Sequence, residues 1–291
     1  MKILVLGSKG QLGQCLNDQF AITEHEVVYT SRGQIDIAEF EVTKAQILEI
    51  SPDIVINATA YTAVDKAEEE RQAAVRINHL AVANISSICY QLDCWLIHVS
   101  TDYVFDGNSE VPYKEDNPTN PQGVYGDSKL KGEAAIEASG CKYLIMRTAW
   151  VYSEYGNNFL KTMLRLSADR DELSIVGDQI GCPTYAQDIA KSIVSILSCL
   201  DLKDSSSGIY HYCGDEPCSW YDFARAIFLE AEVRGLKTPP YVPSIATADY
   251  PTPAVRPAYS VLDCSKIERR FDVTRSNLRD GINIVIDRLQ C

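Results

Sequence analysis

The sequence predicts an α/β fold: a Rossmann-type doubly wound parallel sheet with a smaller C-terminal α/β substrate-binding domain. Three observations carry that prediction. The chain opens on a short apolar run, Lys2 to Leu6, that passes straight into Gly7-Ser8-Lys9-Gly10-Gln11-Leu12-Gly13 and a helical pattern. Further short apolar runs alternate with helical stretches as far as Thr148, the order of parallel strands joined by crossover helices. Beyond Thr148 the alternation breaks up into Pro-rich loops and short helices. The 291 residues divide into a dinucleotide-binding part, 1–151 with 184–208 and the C-terminal helix within 261–291, and a substrate part, 152–183 with 209–260. Asp204 to Gly208 reads as a short flexible linker.

Taken in order, Lys2 to Leu6 is a strand buried on both faces, and the glycines that follow sit at a strand-to-helix turn before a helix over Gln14 to Phe20. Gly7 permits the tight turn, Gly10 lets the backbone approach a pyrophosphate, and Gly13 lets the helix pack closely on the sheet. The amides around Gln11 and Leu12 then face the anion. A second strand, Glu26 to Thr30, ends in Ser31-Arg32, where an acid would grip a ribose 2′-hydroxyl. Arg32 there suits a 2′-phosphate, which favours NADPH and leaves NADH open as a second donor. Asp36-Ile37 follows, either beside the adenine or as the cap of the next helix.

Ile54 to Asn57 is the third strand, and Ala58-Thr59-Ala60 leaves its C-terminal end with small side chains, where ligands of open α/β sheets lie. Thr62 and Val64 are placed to face a substrate. Glu68 to Glu70 reads as a solvated helix surface, Gln72 to Leu92 as one long helix, Trp95 to Ser100 as the fourth strand and Tyr143 to Thr148 as the fifth. Tyr125 and Lys129 stand four residues apart, so a helix would set them on one face. A cation beside a phenol favours the phenolate, which suits a proton donor; a solvated helix face is the plain alternative.

In the second half, Trp150 reads as a ring platform or a core tryptophan. Asn157 or Asn158 caps a helix over Phe159 to Ala168, and Ser219 to Asp222 is a capping box opening a helix through Ala231. Arg256 is a diphosphate ligand or an ion-pair partner. Asp188 to Leu200 and Leu278 to Leu289 are read as helices returning to the sheet.

The net charge of -13 and pI near 4.8 give no basic footprint for nucleic acid or an anionic membrane surface. No apolar run approaches the ~18 residues of a membrane span. The ten cysteines lack the spacing of a zinc ribbon or a Cys-x-x-Cys pair, and the chain opens without a basic, then long apolar, leader. Reduced thiols in a cytoplasmic protein are therefore expected. His25, His79, His98 and His211 are scattered, so no metal site is expected.

Several longer motifs bear on identity: Ser100-Thr101-Asp102-Tyr103-Val104-Phe105-Asp106-Gly107, Val124-Tyr125-Gly126-Asp127-Ser128-Lys129, Asn57 to Glu68, Arg147 to Tyr152, Gly156 to Phe159, and Tyr250 to Pro257. Together with the Gly-x-x-Gly-x-x-Gly turn they resemble the dTDP-4-dehydrorhamnose reductase family of the extended short-chain dehydrogenase/reductases, over nearly the whole chain. The resemblance implies reduction of the C4 ketone of dTDP-4-dehydro-β-L-rhamnose to dTDP-L-rhamnose by hydride from NAD(P)H. It implies Tyr125 as proton donor, Thr101 as hydrogen-bond partner of the carbonyl oxygen, and Lys129 as ligand of the nicotinamide ribose that also lowers the phenol's pKa. Thr101, Asp102, Tyr103, Trp150, Asn158 and Arg256 join Thr62 and Val64 as substrate-side residues. Some family members dimerise through a metal held by acidic residues near the first helix; Cys15 stands in that region here. A monomer or homodimer that needs no metal is expected. Two alternatives remain at this stage: a non-catalytic regulatory subunit of the methionine adenosyltransferase type, and another nucleotide-sugar epimerase or reductase.

Overall fold

The computed structural model describes residues 1–199 and 207–290. Its main sheet has six strands, all parallel. Five are the apolar runs just described: β1 Lys2–Leu6, β2 Glu26–Thr30, β3 Ile54–Asn57, β4 Trp95–Thr101 and β5 Lys142–Thr148. The order is β2-β1-β3-β4-β5, with Gly208–His211 added beside β5 at the edge. The chain leaves β1 towards β2 and returns to the other side for β3, so a topological switch point opens at the C-terminal ends of β1 and β3. Register sets Leu6 beside Asn57 and Asn57 beside His98, which brings three strand ends to one edge.

The helices are α1 Gln11–Phe20, α2 Phe40–Ile50, α3 Val64–Glu69, α4 Arg71–Val75, α5 Ala81–Leu92, α6 Val124–Ser139, α7 Phe159–Asp169, α8 Ala186–Cys199, α9 Trp220–Val233, α10 Ser265–Phe271 and α11 Leu278–Gln290. Side chains of α1, α8 and α10 share one core with one face of the sheet. Those of α2, α5 and α6 share a second core with the other face. β3 is buried throughout, which is why it reads as an unbroken apolar run.

Four expectations change. α1 begins at Gln11, directly after the extended Gly10, and not at Gln14. The stretch read as one helix from Gln72 to Leu92 is interrupted by a π turn over Arg76–Leu80, of the kind found at functional sites. Gly208–His211 belongs to the main sheet, so 209–211 do not fall in the substrate part. The last helix does not return to the sheet: Leu278, Ile282, Val285 and Ile286 of α11 pack with Tyr152, Leu160, Tyr185, Phe223 and Ile227 in a separate, smaller core. Its amphipathic pattern shows that one face is buried and not against what. The Asp204 to Gly208 linker lies outside the described residues except for Ser207 and Gly208. Among the described residues no helix is long and apolar enough to cross a membrane.

Candidate active site

The glycine turn behaves as its spacing requires. Gly7 has φ +86°, and a Cβ on Gly13 would lie 2.2 Å from the Gly7 carbonyl oxygen, so α1 can approach the turn only with glycine there. No side chain caps the N-terminus of α1, which leaves amides that can face an anion. A cleft of about 310 Å³ opens at the switch point, lined by Gly7, Gly10, Ser31, Arg32, Asp36, Ile37, Ala58, Thr59 and Ala60. Nine of the twelve proposed cofactor residues outside Tyr125 and Lys129 thus surround one space. Lys9, Ile35, Tyr61 and Ile77 complete the wall. Gly13 and Leu12 lie behind it, Leu12 in the core. Gln11 turns away: its Oε1 accepts hydrogen bonds from Ser153 Oγ at 3.0 Å and Asn158 Nδ2 at 2.8 Å.

Arg32 stands at the rim with its side chain 84% exposed, and its Nε donates to Asp36 Oδ2 at 3.1 Å. An exposed pair of this kind contributes little, roughly 0–1 kcal/mol, so the guanidinium is free to exchange Asp36 for a phosphate. Asp36 does not cap the helix that follows, whose N-cap is Glu39; its Oδ1 instead closes a local turn by accepting from the Ala38 amide at 3.1 Å. The diphosphate-facing amides, the small side chains after β3 and the rim arginine together fit a dinucleotide.

Tyr125 and Lys129 both lie in α6, whose approach depends on close backbone contact: a Cβ on Gly126 would lie 2.2 Å from the Tyr103 carbonyl oxygen. Glu68 fixes the start of the helix, accepting from the Val124 amide at 2.8 Å. It is therefore a cap and not part of a merely solvated run. The Tyr125 ring is half-buried and meets Tyr103 edge to face, with centroids 5.5 Å apart. Burial pushes its phenol well above the ordinary tyrosine range; a hydrogen bond with Thr101 opposes this, and Asp102 and Tyr103 add to the rise.

Lys129 does not act on that phenol as expected. It is 1% exposed, and its Nζ donates to the Val99 carbonyl oxygen at 2.6 Å and lies 3.2 Å from His98 Nε2. Its long side chain runs back along β4, so its charge is not among the influences on Tyr125. Burial brings its amine down to about 8, with Glu133 pulling the other way.

Thr101 Oγ donates to Asp102 Oδ1 at 2.9 Å and accepts from the Tyr103 amide at 3.2 Å. Burial pushes the Asp102 carboxyl up to about 6, held down in part by Ser260 and Thr101. A carboxyl whose folded pKa exceeds its unfolded 3.8 favours the native state while protonated. That contribution is present below about 4 and lost as pH rises through about 6. Asp102→Asn is therefore expected to gain stability over the wild type between those values and keep the gain above them, on the order of 3 kcal/mol. Urea midpoints of both proteins at acid and neutral pH measure this; a difference that does not change with pH would refute the burial cause.

The other substrate-side residues are dispersed. Arg256 donates from Nη2 to Asp65 Oδ2 at 2.7 Å and from Nη1 to the Tyr103 hydroxyl at 3.0 Å, so the ion-pair role holds here. Asn158 is the N-cap of α7, with its amide spent on Lys161 N, Gln11 and the Ser153 carbonyl; these bonds place it in a joint between the two halves. Thr62 is exposed and Val64 half-buried at the start of α3; neither lines the cleft. Trp150 takes φ +49° and stacks on Trp220 at 3.5 Å and 4°, while a Cβ on Gly181 would lie 2.4 Å from its ring. Among the described residues no group of three or more His, Cys, Asp or Glu side chains is gathered to hold a metal.

A family model described as the RmlD substrate binding domain matches residues 1–291. A dTDP-4-dehydrorhamnose reductase of Aggregatibacter actinomycetemcomitans is 43% identical over 280 residues, 95% of this chain and 95% of its own. This chain belongs to the dTDP-4-dehydrorhamnose reductase family. The crystal structure of a dTDP-4-dehydrorhamnose reductase from Clostridium acetobutylicum superposes with a TM-score of 0.92 at 38% identity, covering 100% of both chains. That of the Bacillus anthracis enzyme in complex with NADP superposes with 0.90 at 33% identity, covering 99% of each.

In this reductase three contributors escaped the reading of the sequence. Asn78, on the π turn, accepts from the Tyr61 amide at 2.8 Å and donates to the Tyr61 carbonyl and Ser128 Oγ, fixing the loop after β3 to α6. Trp220 doubles Trp150; it was visible only as part of the capping box, which is present. His98 is buried in β4, where a lone histidine in an apolar run gives no sign of its partners.

Proposed function

We propose that this protein reduces the C4 ketone of dTDP-4-dehydro-β-L-rhamnose to dTDP-L-rhamnose, the last step of dTDP-rhamnose synthesis, with NADPH preferred over NADH. The observation that carries the reading is Tyr125, hydrogen-bonded to Thr101 at the C-terminal end of β4 and held as a neutral phenol by burial. When bound, the reduced nicotinamide supplies a hydride to the carbonyl carbon. The carbonyl oxygen then takes the Tyr125 proton, and the Thr101 hydroxyl stabilises the phenolate left behind by turning its one proton from Asp102 to it. An alkoxide is a far stronger base than an ordinary phenolate. A phenol above its ordinary range therefore still protonates it downhill while staying loaded at neutral pH. Lys129, held against Val99 and His98, is assigned to the cofactor side of the reaction.

The unit built on the smaller core, with Trp150 and Trp220 at its edge, is assigned to the substrate. Cys15, buried in α1, offers no carboxylate for a metal bridge there, in keeping with a cytoplasmic monomer or homodimer. Oxidation of NADPH in the presence of dTDP-4-dehydrorhamnose tests the whole reading, and no consumption with any 4-keto sugar nucleotide would overturn it. The cofactor preference has its own test. Arg32→Ala is expected to weaken NADPH binding by ~10–100-fold, the loss of a charge-assisted contact, and NADH binding by far less. Equal losses would remove the 2′-phosphate role.

A further inference from the structure

A buried polar chain runs from the floor of the cofactor cleft to Lys129, and its hydrogen bonds fix one another's direction. It starts at Thr59, whose backbone N–H can only donate. That amide and the Thr59 hydroxyl meet Asn57 Oδ1 at 3.1 and 2.5 Å, so the oxygen of the Asn57 amide faces Thr59 and its NH₂ faces His98. Asn57 Nδ2 lies 3.1 Å from His98 Nδ1, which must then accept. A neutral imidazole that accepts at Nδ1 carries its proton on Nε2. Burial holds His98 well below its ordinary pKa, in keeping with a neutral ring. Nε2–H points at Lys129 Nζ, 3.2 Å away.

An ammonium has three donors and no acceptor, so a charged Lys129 would set donor against donor. An uncharged amine has a lone pair for His98 and still donates to the Val99 carbonyl oxygen. With every other group satisfied, one extra proton on Lys129 forces a mismatch somewhere along the chain, and in a buried site such a mismatch is costly. The remaining charged groups around Lys129 do not reverse this. Glu133, one turn further along α6, favours the ammonium, but Arg147 from β5 holds it in a bidentate pair. Tyr125, one turn back, is a neutral phenol.

We propose that His98, locked by Asn57 as the Nε2–H tautomer, is a positioning residue that opposes protonation of the Lys129 amine in the free protein and ties that protonation to Thr59 at the cofactor cleft. The consequence for turnover rests on the reading of Lys129 as part of the reduction site; the tautomer does not.

Long-range proton–nitrogen correlation spectra of ¹⁵N-histidine-labelled protein near neutral pH test the tautomer directly, with the His98 signals assigned by their loss in His98→Phe. His98 is expected protonated on Nε2 alone. His211, also buried, provides an internal contrast: its Nδ1 donates to the Tyr113 carbonyl oxygen at 3.0 Å, leaving Nε2 to face Arg147. Asn57→Asp should reverse His98, because a carboxylate accepts from both Thr59 and His98 Nδ1–H and frees Nε2 to accept from an ammonium. In that variant the limb of the kcat/KM pH profile belonging to Lys129 should move to higher pH by about one unit or more. Nδ1–H in the wild type, or an unchanged tautomer in folded Asn57→Asp, would sink the proposal. The wild-type spectrum decides it even if the variant does not fold. The predicted tautomers in a protein that fails to reduce any sugar nucleotide would uphold the chain and reject only the reductase reading.

Discussion

Tyr125→Phe is expected to lower kcat by ~10²–10⁴-fold, the range for loss of a positioned general acid, and to leave the fold intact. Phenylalanine keeps the ring that packs edge to face on Tyr103, so what disappears is the hydroxyl shared with Thr101. Because the proton moves only as the alkoxide forms, kcat and kcat/KM should fall together, with KM little changed. Steady-state kinetics with NADPH and the 4-keto sugar, beside a thermal melt, make the comparison. A variant within ~10-fold of wild type would move the acid elsewhere, with Asp102 the next group to examine.

The largest expected effect on stability is at Glu133. Arg147 reaches it from Nε at 3.0 and 3.2 Å and from Nη2 at 2.6 Å, with side chains only 3% and 1% exposed. The guanidinium also lies over the Phe105 ring at 5.1 Å, so it cannot swing into water without opening the seam between β5 and α6. Glu133→Ala leaves a buried charge without its counterion, a change that costs about 3–5 kcal/mol. At roughly 2–4 °C per kcal/mol for chains approaching this size, Tm should fall on the order of 10 °C. Removing both charges, as in Glu133→Met with Arg147→Leu, should recover much of the loss. A single variant less than ~1 kcal/mol below wild type would show that the pair belongs to the weak class of exposed bridges.

How much was legible follows from which interactions are local. β1, β3 and β4 announce themselves because strands buried on both faces read as nearly continuous apolar runs, and the glycine turn because two of its positions admit no Cβ. Gly208–His211 did not, because its burial comes from β5, more than sixty residues earlier, and because Tyr210 and His211 look polar until their partners are known. The π turn was hidden because one extra residue barely disturbs a helical pattern, yet it aims Asn78 at Tyr61. At the site, Tyr125, Thr101 and the cleft residues were legible from motif and position. The direction of the Lys129 side chain was not, since spacing along a helix fixes where a side chain starts and not which way four methylenes run.

The contact between Gln11 and Asn158 also bears on how such proteins can be recombined. Gln11, at the first turn after the glycines, is clasped by Ser153 and Asn158, Tyr155 reaches Asp18 on the same helix at 2.8 Å, and Arg288 of α11 lies 4.0 Å from that Asp18. The segment that leads into the substrate half is thus stitched to the nucleotide half by side chains, not merely joined to it by backbone. A substrate half transplanted from a relative would arrive as a cassette with its own stitches. Unless residues 153–158 and the face of α1 they grip travel together, the graft would lose these bonds and misseat the smaller core against α1 even when each half folds well.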